Sequence, residues 1–171
     1  MDLHDVLMVV VLSIAVFFDY KERRIPNILL ASGLILALLL HAWTGGSADV
    51  LSALKGLGTG LALLIIPFVL GGMGAGDVKL LGFIGACQGS IFALNTFLWM
   101  AIWGGIIAVI ILTMQRQLGA AFKRLRRGVF LAGIGMANLT DMVHKDEFSM
   151  YYPYAIPIAL GVLSSFIRGW C

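Results

Sequence analysis

Two carboxylates stand at the edges of apolar runs, where an ionised side chain is costly. Asp77 lies within "GGMGAGDVKLLG", between "LALLIIPFVL" and "LLGFIGA", and Asp19 directly follows "VLMVVVLSIAVFF". Two carboxylates brought close together do not both ionise easily, so they share a proton. The ionised member of such a pair can activate a water molecule while the protonated member polarises a peptide carbonyl.

The composition predicts that a membrane surrounds the elements that position these carboxylates. The chain has 171 residues, 60% of them hydrophobic and 12% charged, whereas ordinary soluble domains carry about 25% charged residues. Its mean hydropathy is +0.98. We therefore expect an all-α, polytopic membrane protein of about six transmembrane helices. The predicted spans are 3–18, 27–43, 50–70, 78–89, 90–114 and 152–168.

The fourth predicted span is too short to cross a bilayer by itself. A helix over 78–89 is about 18 Å long, against a hydrocarbon core of about 30 Å. It is either a part-span or a helix that continues through Gly89 with a bend.

Basic residues predict the orientation, since Lys and Arg concentrate on the cytoplasmic side of membrane proteins. With the N-terminus outside, only Lys55 and Arg168 fall elsewhere than on the inner side. The inner residues are Lys21, Arg23, Arg24, Lys79, Arg116, Lys123, Arg124, Arg126, Arg127 and Lys145. These residues lie beside apolar runs, so they indicate membrane topology and not nucleic-acid binding.

Two predicted spans separate Asp19 from Asp77, so both carboxylates fall on the same face, which the charge bias makes cytoplasmic. Taken singly, either Asp could equally be an interfacial residue satisfied by water or by a nearby Lys or Arg. Their shared face, beside a glycine-rich break, favours chemistry.

The glycines before Asp77 do not form a phosphate-binding motif. Asp77 stands where a G-x-G-x-x-G pattern beginning at Gly72 needs glycine, and no Lys follows the last glycine as in a P-loop. The glycines more plausibly permit non-helical backbone and the approach of an extended substrate. Close helix packing is the alternative, and it is the preferred interpretation of Gly56 and Gly60.

The sequence lacks the motifs of other catalytic classes. His4, His41 and His144 are scattered and form no HExxH motif, which disfavours a zinc protease. No G-x-S-x-G sequence marks a serine nucleophile. Cys87 and Cys171 are too few and too far apart for a CxxC metal site or a disulfide framework.

Residues 115–150 form a long inner loop with a basic first part. Leu118, Phe122, Leu125 and Val129 recur there at helical spacing, which predicts a cytoplasmic amphipathic helix on the membrane surface. A plain basic loop that sets the topology is an equal alternative.

Three segments resemble those of the type IV prepilin peptidases. "GAGDVKLLGFIGA", Gly74–Ala86, looks like their GxGD motif, including the Lys two places after the Asp. "DYKERRIPN", Asp19–Asn27, resembles their other catalytic segment, and "YYPYAIPIALG", Tyr151–Gly161, resembles their C-terminal proline- and aromatic-containing segment. The three segments occur in the family's order.

The resemblance implies a membrane aspartic endopeptidase with Asp19 and Asp77 as its catalytic dyad. The implied substrate is a prepilin or pilin-like precursor whose short basic leader is cut at the cytoplasmic face of a bacterial inner membrane. Larger members also N-methylate the new terminus, and many carry a loop with paired CxxC zinc ligands. This chain has no CxxC, so we expect a single membrane-embedded peptidase domain, 1–171, without a zinc-binding or methyltransferase module, a metal or a cofactor. Its size is most similar to the short peptidases of tight-adherence (Flp, type IVb) pilus systems.

Further residues of the GxGD segment are candidates for a role in the site. Gly74 and Gly76 belong to the GxGD segment, and Lys79 either attracts the substrate or tunes Asp77, or extends to the inner interface as an anchor.

Pro26 and Asn27 are expected to begin the second helix, since Pro favours a first helical turn. Pro153 and Tyr154 either line the substrate cleft or belong to an aromatic belt.

Two other functions remain open from the residues alone. In a small proton- or cation-coupled transporter the two Asp residues would carry the ion, although no inverted repeat supports this class. In a membrane assembly factor without chemistry, both Asp positions would tolerate Asn or Ala.

Overall fold

The computed structural model describes residues 2–114 and 154–169. Within these ranges the chain is helical and has no strand, which confirms the all-α fold class. The helices are α1 (Leu3–Glu22), α2 (Asn27–Val69), α3 (Ala75–Gln88), α4 (Ser90–Met114) and α5 (Ala155–Gly169). The amphipathic segment predicted within 115–150 and Pro153 lie outside the described residues.

Three of these helices are long and apolar enough to cross a membrane: α1, α2 and residues Ser90–Ile111 of α4. Large apolar side chains are exposed on all three, as expected for helices that face lipid. The apolar part of α5, Ala155–Ile167, is shorter. Residues up to Trp103, together with the described C-terminal residues, form one compact unit, and the end of α4 from Gly104 belongs to a second.

Helix α2 reverses direction at Gly46, whose backbone is non-helical with φ 67° and ψ −149°. Nε2 of His41 lies 3.0 Å from the carbonyl oxygen of Ala86. Gly56, further along α2, packs against the carbonyl of the neighbouring Gly85. The first arm of α2, before Gly46, and the second arm, after it, therefore both lie beside residues 85 and 86 of α3, so the two arms run in opposite directions. In sequence they coincide with the predicted spans 27–43 and 50–70.

Helix α3 lies in the centre of the first unit, and every residue from Asp77 to Cys87 except Lys79 is buried. Its 14 residues make about 21 Å of helix, short of the about 30 Å of a bilayer core. Gly89, with φ 89°, ends the helix before α4 begins at Ser90. Of the two alternatives for the fourth span, the structure therefore shows the part-length helix.

Two glycines of α2 allow its second arm to approach α3 closely. A Cβ atom on Gly56 would overlap the carbonyl oxygen of Gly85, and one on Gly60 would overlap that of Leu81. The preferred interpretation of these two glycines, close helix packing, is confirmed. This contact fixes α3, and with it Asp77, against α2.

Helix α5 packs on the first part of α4. A Cβ atom on Gly161 would lie 2.7 Å from the carbonyl oxygen of Thr96. Nε1 of Trp103 donates a hydrogen bond of 3.0 Å to Oγ of Ser164, and the Thr96 hydroxyl donates to Oγ of the buried Ser165 at 3.4 Å. These contacts set where the N-terminus of α5 lies.

We predict that Gly56→Ala lowers the stability of the protein by about 1–3 kcal/mol, because the added methyl group overpacks the contact with α3. Thermal unfolding in detergent measures this as a lower Tm. Gly58→Ala is the matched control, since nothing lies within 4 Å of a Cβ atom there. An equal Tm for both variants would contradict this account of the α2–α3 contact.

Candidate active site

Asp77 lies in the first turn of α3, where an acid is favoured by the positive end of the helix dipole. Its Oδ2 atom accepts a hydrogen bond of 3.1 Å from the backbone N–H of Gly74, the residue that precedes the helix. The side chain is only 6% exposed. A carboxylate is therefore held inside the helical unit by a backbone donor of its own turn.

Asp19 lies in the last turn of α1, and its carboxylate contacts α5. Its Oδ2 atom accepts a hydrogen bond of 3.1 Å from the backbone N–H of Ala155, the first residue of α5. Helix α1 ends just after it, at Arg23, whose left-handed backbone (φ 54°) stops the helix. Asp19 thus joins the C-terminal end of α1 to the start of α5.

The two carboxylates act on each other electrostatically. Asp77 lies outside the three candidate membrane spans. Its burial and, second, the negative charge of Asp19 raise its pKa to about 7, against the lowering effect of the Gly74 N–H. Tyr154 lies in the same environment, since burial and then the charge of Asp77 raise its pKa. The structure therefore brings together Asp19, Asp77 and Tyr154, three residues from distant parts of the sequence.

Lys79 pairs with the segment that follows Asp19. Its Nζ atom donates a hydrogen bond of 2.8 Å to Oδ1 of Asn27. Pro26 precedes α2, and its carbonyl accepts the N–H of Leu29 at 3.2 Å, so Pro26 and Asn27 begin the second helix as predicted. Lys79 therefore ties the start of α3 to the start of α2.

The glycine-rich stretch before α3 is non-helical, as predicted. Gly71 has φ 76°, and its N–H donates to the carbonyl of Phe68 at 2.9 Å. Gly76 faces Ile25, whose Cβ atom would lie 3.2 Å from a Cβ atom added there. The two motif segments are thus in contact, which is what allows their carboxylates to act on each other.

A comparison with known protein families gives a match over most of the chain. The family model described as the type IV leader peptidase family matches residues 6–113, more than half of the chain. The chain belongs to the type IV leader peptidase family. Membership in a leader peptidase family implies a peptidase, and the apolar helices place it in a membrane. The matched region of the leader peptidase family contains Asp19 and Asp77 and ends before Tyr154. A search of curated proteins and a search of solved structures gave no match.

The sequence did not indicate the partner of Asp19. The donor is the backbone N–H of Ala155, which has no side-chain signature in the sequence. The available signal was the start of an apolar helix near Pro157, because the first N–H groups of a helix have no partners within it. Pro153, the other predicted residue of this segment, lies outside the described residues.

A second polar cluster lies at the opposite end of α1. A cavity of about 260 Å³ is lined there by Asp5, by His4 and His41, whose rings stack at 4.1 Å, and by Asp49. Asp5 is about 21 Å along α1 from Asp19, so this cavity is separate from the carboxylate pair. Within residues 2–114 and 154–169, no three His, Cys, Asp or Glu side chains are placed to hold one metal ion.

We predict that Lys79→Met and Asn27→Ala interact in a double-mutant cycle. Both side chains are exposed, so the coupling should be about 0.5–1 kcal/mol in the free energy of unfolding, measured by denaturant titration in detergent. Lys55→Met combined with Asn27→Ala is the control, for which the two effects should add. Additivity of the Lys79 and Asn27 changes would show that their hydrogen bond contributes nothing.

Proposed function

We propose that this chain is an aspartic endopeptidase that removes the short basic leader from prepilin or pilin-like precursors. The proposal rests on the electrostatic interaction between Asp19 and Asp77. Two interacting carboxylates can hydrolyse a peptide bond with a water molecule, without a further nucleophile. Membership of the type IV leader peptidase family supports the same reaction and substrate class.

In the proposed reaction, Asp77 holds the shared proton and Asp19 is the ionised base. A water molecule gives a proton to Asp19 while its oxygen bonds to the carbonyl carbon of the scissile peptide. Asp77 gives its proton to the carbonyl oxygen, which forms a neutral tetrahedral intermediate. The C–N bond then breaks as the proton on Asp19 passes to the leaving nitrogen, and Asp77 recovers its own proton as the new carboxyl group forms.

The proposed topology has six spans, with the N-terminus outside and the catalytic pair facing the cytoplasm of a bacterial inner membrane. The reversal of α2 at Gly46 supports it, since α2 then supplies two spans. The excess of Lys and Arg on one side supports the orientation. We further propose that 1–171 acts as one peptidase domain, of the short kind that serves tight-adherence (Flp) pili, without a zinc-binding or methyltransferase module.

The glycine-rich stretch before α3 is proposed as the place where the substrate reaches the pair. Apart from Met73, its residues carry almost no side-chain bulk, and Gly71, Gly72, Gly74 and the neighbouring Ala75 are exposed. An extended peptide can approach such a backbone closely, because glycine places no Cβ atom in its way.

We predict that Asp19→Asn and Asp77→Asn each lower prepilin cleavage by at least about a hundredfold, because each removes a group that transfers a proton. Co-expression with candidate prepilins, followed by immunoblotting for the shortened product, measures this. Asp49→Asn is the matched control and should cleave normally, since Asp49 lines the cavity at the other end of α1. Full cleavage by either dyad variant, at normal membrane levels, would refute the assignment. Carboxylate-dependent ion flux without proteolysis would support a transporter instead.

The raised pKa of Asp77 predicts how activity depends on pH. Because the pKa of Asp77 is about 7, its protonated form predominates below that pH and is lost as the pH rises through it. We therefore expect kcat/KM for a prepilin peptide to fall as the pH rises past about 7, because the proton needed by the carbonyl oxygen is then absent. The Tm at each pH separates this effect from unfolding. A kcat/KM that stays level to pH 9 would contradict the proposed role of Asp77.

A further inference from the structure

The start of α5 lies next to both carboxylates. The N–H of Ala155 donates to Oδ2 of Asp19 at 3.1 Å. The preceding residue, Tyr154, is half-buried and lies within the field of the Asp77 carboxylate. Two consecutive residues, both outside the stretch that matches the leader peptidase family, are thus placed against the pair.

The N–H of Ala155 needs a partner from elsewhere in the protein. The first N–H groups of a helix have no acceptor within it, and Pro157, in the same turn, has no N–H to offer. The first intrahelical bond of α5 runs from the N–H of Ile158 to the carbonyl of Tyr154, at 3.2 Å. Ala155 itself is fully buried, so leaving its N–H without an acceptor would be destabilising.

This donor also favours a negative charge on its acceptor. The N-terminus of a helix carries a partial positive charge, which stabilises an anion placed against it. Hydrogen bonds to an ionised oxygen are stronger than those between neutral groups. The contact therefore stabilises an ionised Asp19 more than a protonated one.

The two carboxylates differ in where their donors come from. Gly74, the donor to Asp77, belongs to the same turn, so it follows α3 wherever that helix lies. Ala155, the donor to Asp19, belongs to a different helix, which α4 holds through Gly161 and Ser164. The geometry around Asp19 thus depends on how α5 is docked.

We propose that the first turn of α5 is a positioning element of the active site, whose Ala155 N–H holds Asp19 oriented and ionised as the water-activating base. This inference rests on the proposed peptidase function. It adds the start of α5 to the site, through the backbone N–H of Ala155 and not through a side chain.

The test removes this single N–H from the full-length protein. Incorporation of lactic acid at position 155 replaces the amide with an ester and keeps the methyl side chain. We expect kcat for a prepilin peptide to fall about tenfold or more, with KM little changed, because one charge-assisted hydrogen bond is lost. The acid limb of the pH profile of kcat should move to higher pH, because the donor to the carboxylate is lost.

Three matched variants separate this effect from general damage. The corresponding ester at Ile156, one peptide bond further on, removes a first-turn N–H that does not reach Asp19 and should leave kcat and the acid limb unchanged. Ala155→Gly keeps the N–H and should retain the wild-type pH profile. Ala155→Pro lacks the N–H at a helix position that tolerates proline, and its acid limb should move in the same direction as that of the ester.

Infrared titration of the carboxylate bands gives the answer without turnover, with Asp19→Asn identifying the Asp19 band. Ionisation of that band at a higher pH in the position-155 ester supports the proposal. Suppose that the wild-type protein cleaves prepilin and Asp19→Asn does not. If the position-155 ester then has the same kcat, acid limb and infrared titration as the wild-type protein, this inference is wrong and the proposed function stands. Absence of cleavage by the wild-type protein overturns the proposed function, and this inference with it.

Discussion

A carboxylate inside a helical membrane protein is tolerated only where hydrogen-bond donors face it, and this requirement organises the whole site. Both acids meet it at the N-terminus of a helix. Asp77 uses the start of α3, through Gly74, and Asp19 uses the start of α5, through Ala155. Because helix N-termini carry free N–H groups and partial positive charge, they can hold acids that the surrounding apolar side chains would otherwise exclude.

That requirement in turn constrains how the helices pack. The start of α3 must lie near the end of α1, although residues 23–74 separate them along the chain. Helix α2 makes this possible by reversing at Gly46 and returning along α3, with Gly56 and Gly60 allowing close backbone contact. The hydrogen bond between Lys79 and Asn27 adds a second link between the two motif segments. Each of these features keeps the two acids close enough that the charge of Asp19 raises the pKa of Asp77.

Much of the site was predictable because its parts are local in sequence. Asp19 and Asp77 stood out as acids at the ends of apolar runs, and the glycines before α3 indicated non-helical backbone. Pro26 and Asn27 were expected to start a helix, and they do. The partner of Lys79 could not be predicted, since a basic residue near a membrane interface has several partners within reach. Only the folded chain shows that it forms a hydrogen bond with Asn27. The donor to Asp19 could not be foreseen, because a backbone N–H is common to almost every residue.

The sequence by itself determined that the protein is helical and membrane-embedded, and it singled out the two acids, because composition, apolar periodicity and charge position act locally. The tertiary structure alone decided that α3 is a short, buried helix at the centre of its unit and that the two acids lie in each other's field. It also decided that α5, more than 130 residues after Asp19, supplies a donor to that side chain. These outcomes depend on which helix faces approach each other. Side-chain volume and backbone hydrogen bonding settle that only when the whole chain is packed.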